Sequence, residues 1–528
     1  MSEKFLNNLR RMDNFTQTEN GAVALSSTLN HCLDAFGTLG AMKNSSEDEI
    51  IRTFMAAFAE NRNLAMRMLF YIRDIRGGQG MRRVFRVIAK HLANTYPEVI
   101  VKNLDNFLFF GRGDDVLCLL DTPIKSNVIN WISNVLSSDI DAVQANSYPS
   151  LLAKWLPSEN ASSKETKRYA KMIASGMKCS PCDYRKLLSS LRSRICIVET
   201  LMSENRWEEI DFEKLPSKAS LIYSDAFMRH AEKNYTDYFN RLASGEAKVN
   251  AGALLPVDII HKIASKVGYG FNFGNKNSLK LHDIYLLTAM WNNLPNYFGD
   301  TEETGLCVVD TSGSMSGTPL EVAVSLGMYC ADKARGPFHG HFITFSARPK
   351  LQKVIGDTIV DKYNNLIKAN WEMNTDIEAV FMLILRTAIA YNMAPEDMPS
   401  KLYIISDMQF DKAKDRSYYY DYYKPRTSME ELKAKYSKAG YPMPMIVYWN
   451  VRASECGMFQ QTFEGENCVM VSGYSPSLFK AVIEGTEWVN EEVITNSGEK
   501  EIITKQKIDP IEVMNKTLMN ERYDCVLV

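Results

Sequence analysis

The segment Asp310-Thr311-Ser312-Gly313-Ser314 places one carboxylate and two hydroxyls at alternate positions of a single short stretch. Hard anionic and neutral oxygens in that mixture suit Mg²⁺ or Mn²⁺, with Ca²⁺ as a further fit, and suit zinc or copper poorly. Gly313 lets such a loop turn sharply at little steric cost. Two later positions offer further oxygens: Thr375, within Asn374-Thr375-Asp376, and Asp407, which directly follows the apolar run Leu402–Ile405. Asp310, Ser312, Ser314, Thr375 and Asp407 are therefore the candidate metal set, and one coordination position is left for water or for a partner's carboxylate. Asp376 reads instead as a charge at a helix N-terminus, where the macrodipole favours it. A general base and a nucleophile cannot be assembled beside this loop, so hydrolysis is not expected and the chain reads as a non-enzyme.

The second kind of chemistry lies in two basic stretches. Arg73, Arg76, Arg82, Arg83, Arg86 and Lys90 face only Asp74, and Arg82, Arg86 and Lys90, four apart, stack on one helical face. Between Lys164 and Arg194 there are nine cations, including Lys167, Arg168, Lys171, Arg185, Lys186 and Arg192, against Glu165 and Asp183. Single stripes of this kind are usually solvated faces. Two on one helical domain point to phosphate neutralisation, with Tyr169, Tyr184 and Trp155 as candidate stacking partners for unpaired bases. The candidate RNA-facing set is Arg73, Arg76, Arg82, Arg86, Lys167, Arg168, Lys171, Arg185, Lys186 and Arg192. Cys179-Ser180-Pro181-Cys182 has the spacing of half a zinc site, but no second half completes it, and ordinary thiols are expected there.

The elements that must position these residues fall into two patterns. From Thr28 to Thr288 apolar residues recur at helical spacing between short polar turns, with expected helices at Glu47–Glu60, Leu64–Ile75, Met81–Asn94, Tyr96–Leu108, Asp114–Leu120, Ser126–Ser137, Thr166–Ser175, Pro181–Arg194 and Ser220–Ala243. Successive helices with short connections fit a stacked repeat solenoid better than a closed bundle. A cluster of Pro, Gly and Asn at residues 291–300 marks a boundary. Beyond it, short apolar runs at Leu306–Val309, His341–Phe345, Leu402–Ile405 and Met445–Trp449 alternate with amphipathic helices, the pattern of a doubly wound α/β domain. A hairpin about Asn496-Ser497-Gly498 and a helix from Pro510 to Arg522 follow, and the tail is expected to pack back on the chain. In an open parallel sheet ligands bind beyond the carboxyl ends of the strands, which is where Asp310 and Asp407 fall.

Composition agrees with two folded domains. The chain has 528 residues, 45% of them hydrophobic and 23% charged, beyond the reach of one ordinary core. The first 300 residues carry a small excess of Lys and Arg and the remainder an excess of Asp and Glu, so an anionic partner would meet the first part. The N-terminal residues lack a secretory signal and no apolar run is long enough to span a bilayer, so no membrane partner and a cytoplasmic location are expected. Ten scattered cysteines fit free thiols.

The loop, the later Thr and the later Asp, each after an expected strand, resemble the metal-ion-dependent adhesion site of von Willebrand factor A domains. The whole order, helices followed by such a domain, resembles the TROVE architecture of Ro-type ribonucleoproteins, and more closely a sister family of plants, fungi, bacteria and viruses known as domain of unknown function 2828. The closer resemblance rests on Arg73-Asp74-Ile75-Arg76-Gly77-Gly78-Gln79-Gly80, Gly111-Arg112-Gly113-Asp114-Asp115, Ala153-Lys154-Trp155-Leu156-Pro157-Ser158, Tyr184-Arg185-Lys186-Leu187-Leu188, Leu254-Leu255-Pro256, Val308–Met315 and Ser406-Asp407-Met408-Gln409-Phe410. It implies HEAT-like, TROVE-like helical repeats over residues 1–295, as a solenoid or ring, and a von Willebrand A-type domain with a C-terminal hairpin and helix over residues 301–528. It also implies an RNA-binding scaffold that holds single-stranded ends or a small non-coding RNA on its helices, and a monomer is expected. A protein partner would dock on the cation through a carboxylate. The alternative is a metal-dependent protein-interaction or viral assembly protein that binds no RNA.

Overall fold

A computed structural model describes residues 13–195, 197–267, 279–300, 304–345, 349–367, 376–410, 428–453, 458–494 and 500–528, without the side chains of 428–431 and 491–505. A helical region precedes a mixed parallel and antiparallel sheet. The chain forms two compact units. One unit joins the chain up to Asn61 to Leu254–Asn520, and the other joins Arg62–Ala253 to Glu521–Val528. Helical periodicity tells which face of a helix is buried, not which core buries it.

The N-terminal segment shows this. Strands β1 (Phe15–Gln17) and β2 (Val23–Leu25) pair antiparallel, and helices α1 (His31–Thr38) and α2 (Glu47–Glu60) follow. Asn30 caps α1 and a Ser46–Glu49 capping box starts α2, satisfying amide groups the helices leave open. The turn after α1 belongs to the sheet unit, because a Cβ at Gly40 would lie 2.3 Å from the Ser472 carbonyl oxygen. Only glycine permits that approach.

The helical unit contains α3 (Arg62–Arg73), α4 (Arg82–Thr95), α5 (Pro97–Lys102), α6 (Leu104–Phe110), α7 (Lys125–Gln144), α8 (Leu152–Trp155), α9 (Lys164–Gly176), α10 (Pro181–Ile195), α11 (Val198–Ser203), α12 (Ser217–His230) and α13 (Glu232–Ser244). Two expected helices are divided. The stretch Tyr96–Leu108 breaks at buried Asn103 into α5 and α6, and Ser220–Ala243 breaks at Ala231. The second break brings Phe227 within 5.4 Å of Tyr235 around Phe212. Eight residues of straight helix would separate them by about 12 Å. A second aromatic cluster, Phe70, Phe85, Phe107 and Phe110, ties α3, α4 and α6 together.

The α/β unit contains α14 (Pro256–Val267), α15 (Leu281–Asn292), β3 (Gly305–Asp310), α16 (Thr318–Lys333), β4 (His341–Phe345), β5 (Leu351–Lys353), α17 (Ile359–Ile367), α18 (Ile377–Tyr391), β6 (Lys401–Ser406), α19 (Ser428–Ala439), β7 (Met445–Asn450), β8 (Cys468–Ser472), α20 (Ser477–Glu484), the hairpin β9 (Thr486–Ile494) and β10 (Lys500–Ile508), and α21 (Pro510–Leu518). The main sheet has the order β5-β4-β3-β6-β7-β8, parallel except for β5. Alternate residues divide between its faces as strand geometry requires. Val308, Ile404 and Ile446 pack with Val380 and Phe381 of α18, whereas Tyr403 and Trp449 pack on Phe479 of α20. After β3 the chain forms β4 on one side and later β6 on the other. The direction of winding therefore reverses at β3, and the crevice opens at the carboxyl ends of β3 and β6.

Candidate cation loop and basic cleft

Asp310 ends β3 fully buried, and both its carboxylate oxygens are held. One accepts from the Ser312 amide at 2.9 Å and the other from the Ser406 hydroxyl at 2.5 Å, so the last residues of β3 and β6 are joined directly. Each carboxylate oxygen has a second lone pair to offer. The Ser312 and Ser314 hydroxyl oxygens lie 3.0 Å apart, and Arg452, which follows β7, donates to the Ser314 carbonyl. Burial, with the nearby negative charge of Asp407, pushes the Asp310 carboxyl up to about 6 against the hydrogen bonds from Ser406 and Ser312. A hard dication would offset both effects, and the donor set of carboxylates and hydroxyls fits one.

Asp407 is also buried, and its carboxylate accepts from the Gln409 amide at 3.2 Å. The next residue, Met408, holds φ at +67°, a left-handed conformation that costs an L side chain on the order of 1–2 kcal/mol. The N-terminal segment braces this turn. The Thr18 hydroxyl donates to the Phe410 carbonyl at 2.7 Å, the Asn20 amide to the Gln409 carbonyl at 2.8 Å, and the Glu19 N–H to the Gln409 side chain at 2.7 Å. Of the five expected ligands, the structure brings Asp310, Ser312, Ser314 and Asp407 to one sheet edge, and Thr375 lies outside the described residues. Asp376 caps α18, accepting from the Ala379 amide at 2.9 Å. Sequence reasoning missed Ser406 and Arg452; the position of Ser406 at the end of an apolar run was the available signal for the first.

The expected RNA-facing residues separate into groups with different surroundings. Arg73 is not on a surface. Its guanidinium is buried and pairs with Asp115 at 2.6 Å, and Arg86 pairs with Asp115 at 2.7 Å and with Asp114. Gly111 makes room for this cluster, since a Cβ there would meet the Asp115 carboxylate at 2.5 Å. Arg112 closes the cluster on Asp114 and stacks over Trp155 with 3.9 Å to the ring centroid. Arg112 and Arg86 outweigh burial at Asp114 and hold its carboxyl down at about 2. Arg192 is structural as well, donating to the Ala153 carbonyl at 2.9 Å and the Leu156 carbonyl at 2.7 Å. Arg185 pairs with Glu159 at 3.0 Å, and Tyr184 is buried, which removes it as a stacking platform. Arg76, Arg82 and Lys186 are exposed. The reason is common to the corrected residues: arginine spacing on a helix shows which cations share a face, but not whether a carboxylate from another helix already faces them.

Lys167, Arg168 and Lys171 do come together. They line a cleft of about 740 Å³ between α7 and α9, with Lys125, Lys164, Ser126, Asn130 and Ser175 around them and Ile129 and Met172 among the apolar lining. The helices approach closely there, because a Cβ on Gly176 would lie 2.7 Å from Ile129. Lys125, Lys164, Lys167 and Lys171 are exposed, and none of the described lining residues is acidic. Arg168 is committed beside the cleft to a two-pronged pair with Asp121, both contacts at 2.6 Å. Tyr169 also bonds Asp121, at 2.8 Å. Lys125 and Lys164 were not in the expected set, because each stands at a helix start where spacing along one helix gives no hint of its cross-helix neighbours.

The family described as Domain of unknown function (DUF2828) matches residues 18–110 and 165–295, and that described as Domain of unknown function (DUF7788) matches residues 304–518. An uncharacterized protein of Acanthamoeba polyphaga mimivirus is 30% identical over 517 residues, covering 90% of this chain and 86% of that protein. With the helical region, the sheet region and nearly the whole length accounted for in this way, the chain belongs to the DUF2828 family that the first of these matches defines.

Proposed function

We propose that this protein is a non-enzymatic RNA-binding scaffold whose helical unit holds RNA phosphates in the α7–α9 cleft. The observation that carries the reading is the grouping of Lys125, Lys164, Lys167 and Lys171 about one cleft with no acidic lining residue among those described. A groove of ammonium groups with an apolar floor suits a flexible single strand, whose phosphates displace counterions while sugars and bases meet Ile129 and Met172. Filter binding of a single-stranded RNA across a salt series tests it. Four phosphate contacts predict that log K falls against log salt with a slope of about −3, at roughly 0.7 for each contact on a single strand. Retention that does not change with salt overturns the reading.

The α/β unit is in this proposal a von Willebrand A-type domain, with Asp310, Ser312, Ser314 and Asp407 holding Mg²⁺ or Mn²⁺ and a partner's carboxylate completing the coordination. The ion would supply a positive centre for docking, and this chain's residues supply its oxygen ligands. Adding Mg²⁺ at a hundredfold excess over its dissociation constant is expected to stabilise the EDTA-treated protein by about 2.7 kcal/mol. Differential scanning calorimetry should read this as a higher unfolding temperature in the wild type and no Mg²⁺ response in Asp310→Ala. An equal Mg²⁺ response in the two proteins would remove the cation from this loop.

A further inference from the structure

The helical unit grips a short segment of its own chain, Arg522–Val528, in the manner of a receptor holding a peptide. At one end, Asp74, fully buried after α3, receives both the Arg522 guanidinium and the Tyr523 hydroxyl, the latter at 3.1 Å. The Tyr523 ring stacks on Phe110 with centroids 5.3 Å apart and meets Tyr71 edge-on. Arg67 pairs with Asp524 at 2.9 Å. Gly77 clears the space for Arg522, because a Cβ there would lie 3.1 Å from the Arg522 side chain. This gives the Arg-Asp-Ile-Arg-Gly-Gly run a role that its basic residues alone do not explain.

Farther along, recognition passes to the main chain. Asn103, fully buried at the start of α6, donates from its side-chain amide to the Leu527 carbonyl at 2.7 Å and accepts from the Leu527 N–H at 2.9 Å. Asn106 donates to the Cys525 carbonyl at 3.0 Å, and Lys102 to the Val528 carbonyl at 2.8 Å. Cys525, Leu527 and Val528 are thus held by their backbone while their side chains stay exposed. Val526 is buried between them. The segment begins as a 3-10 turn over Glu521–Tyr523, continues through a turn in which the Val526 amide donates to the Tyr523 carbonyl at 3.1 Å, and carries no regular structure over residues 526–528.

We propose that this face of α3 and α6 is a peptide-recognition site for the pattern Arg-Tyr-Asp-x-Val-x, filled in cis by residues 522–527, and that it takes the same segment of a second copy in trans. Occupancy in cis is favoured because the tether holds the segment at an effective concentration in the millimolar range, and exchange between copies closes a reciprocal dimer without new contacts. The inference is independent of RNA and of the cation.

The test uses the full chain with a protease site inserted between Asn520 and Glu521. After cleavage and gel filtration, fluorescence anisotropy follows a labelled peptide of residues 521–528. The cleaved protein should bind it saturably, at least tenfold more tightly than the intact protein, and a peptide with Arg522→Ala and Tyr523→Ala should bind at least tenfold more weakly. Loss of helical circular dichroism on cleavage, or a severed segment that a thousandfold excess of peptide fails to displace, makes the segment part of the fold and overturns the proposal. So does a folded cleaved protein without binding, or equal binding by cleaved and intact proteins. For the second copy, intact Asp74→Ala supplies a segment and R522A/Y523A supplies a vacant site. Their mixture should yield a dimer by light scattering that neither forms alone, and a monomeric mixture overturns exchange in trans.

Discussion

Replacing Asp115 with alanine is expected to destabilise the helical unit by about 3–5 kcal/mol, the range for removing one partner of a buried ion pair. Asp115 has no exposed surface, and both its oxygens are engaged, one by Arg73 and one by Arg86. The Arg73 guanidinium, itself only 2% exposed at the side chain, would be left charged and without this carboxylate in a site from which water is excluded. Desolvation of that unpaired charge, more than the lost attraction, sets the magnitude. The backbone also loses an acceptor, since the Arg112 amide donates to Asp115 at 2.9 Å. Urea unfolding followed by circular dichroism reads the change as a lower midpoint. Lys90→Ala, on the same helix as Arg86 but exposed and outside the cluster, should shift stability by no more than about 0.5 kcal/mol. A loss below 1 kcal/mol at Asp115 would show that the cluster contributes little to holding α3 and α4 together.

The second large effect concerns RNA affinity. Reversing Lys125, Lys164 and Lys167 to Glu is expected to lower affinity for a single-stranded RNA about a hundredfold or more at 0.1 M salt and to flatten the log–log salt slope by about 2. Three phosphate contacts are lost at roughly 0.7 each, and three anions then repel the strand. The choice of residues keeps the Arg168–Asp121 pair intact, so the local framework is preserved. A matched trio away from the cleft, Arg76, Arg82 and Lys186 to Glu, should change affinity less than fivefold. Filter binding of both trios against the wild type decides between them. If the second trio costs as much as the first, the strand follows a different surface; if neither matters, the helical unit does not bind RNA through these cations.

The Arg192 position shows why a charge pattern alone misleads. On the helix it shares a face with Arg185 and resembles a phosphate contact. In the fold it donates to the Ala153 and Leu156 carbonyls at α8, and Arg185, still partly exposed, pairs with Glu159. These partners lie 26 to 39 residues away in sequence. Lys125 gave the opposite error. It stands alone in sequence among uncharged neighbours, yet it faces the lysines of α9 across the cleft.

The loop from Asp310 to Ser314 was legible because it depends on local chemistry: a short apolar run that must be a buried strand, a carboxylate at its end and small hydroxyl residues after it. Strand and helix alternation likewise announced the parallel sheet, since period-two and period-3.6 patterns are written residue by residue. The tertiary structure alone decided that the N-terminal segment braces the Asp407 turn, that Asp115 absorbs Arg73 and Arg86, and that residues 521–528 return to the helical unit. Each of these is a pairing between groups far apart in the chain, and such pairings depend on which buried surfaces meet. Local periodicity specifies a helix's apolar face and its charged face, but the partner of either is chosen only when the cores close and unpaired buried charge is excluded.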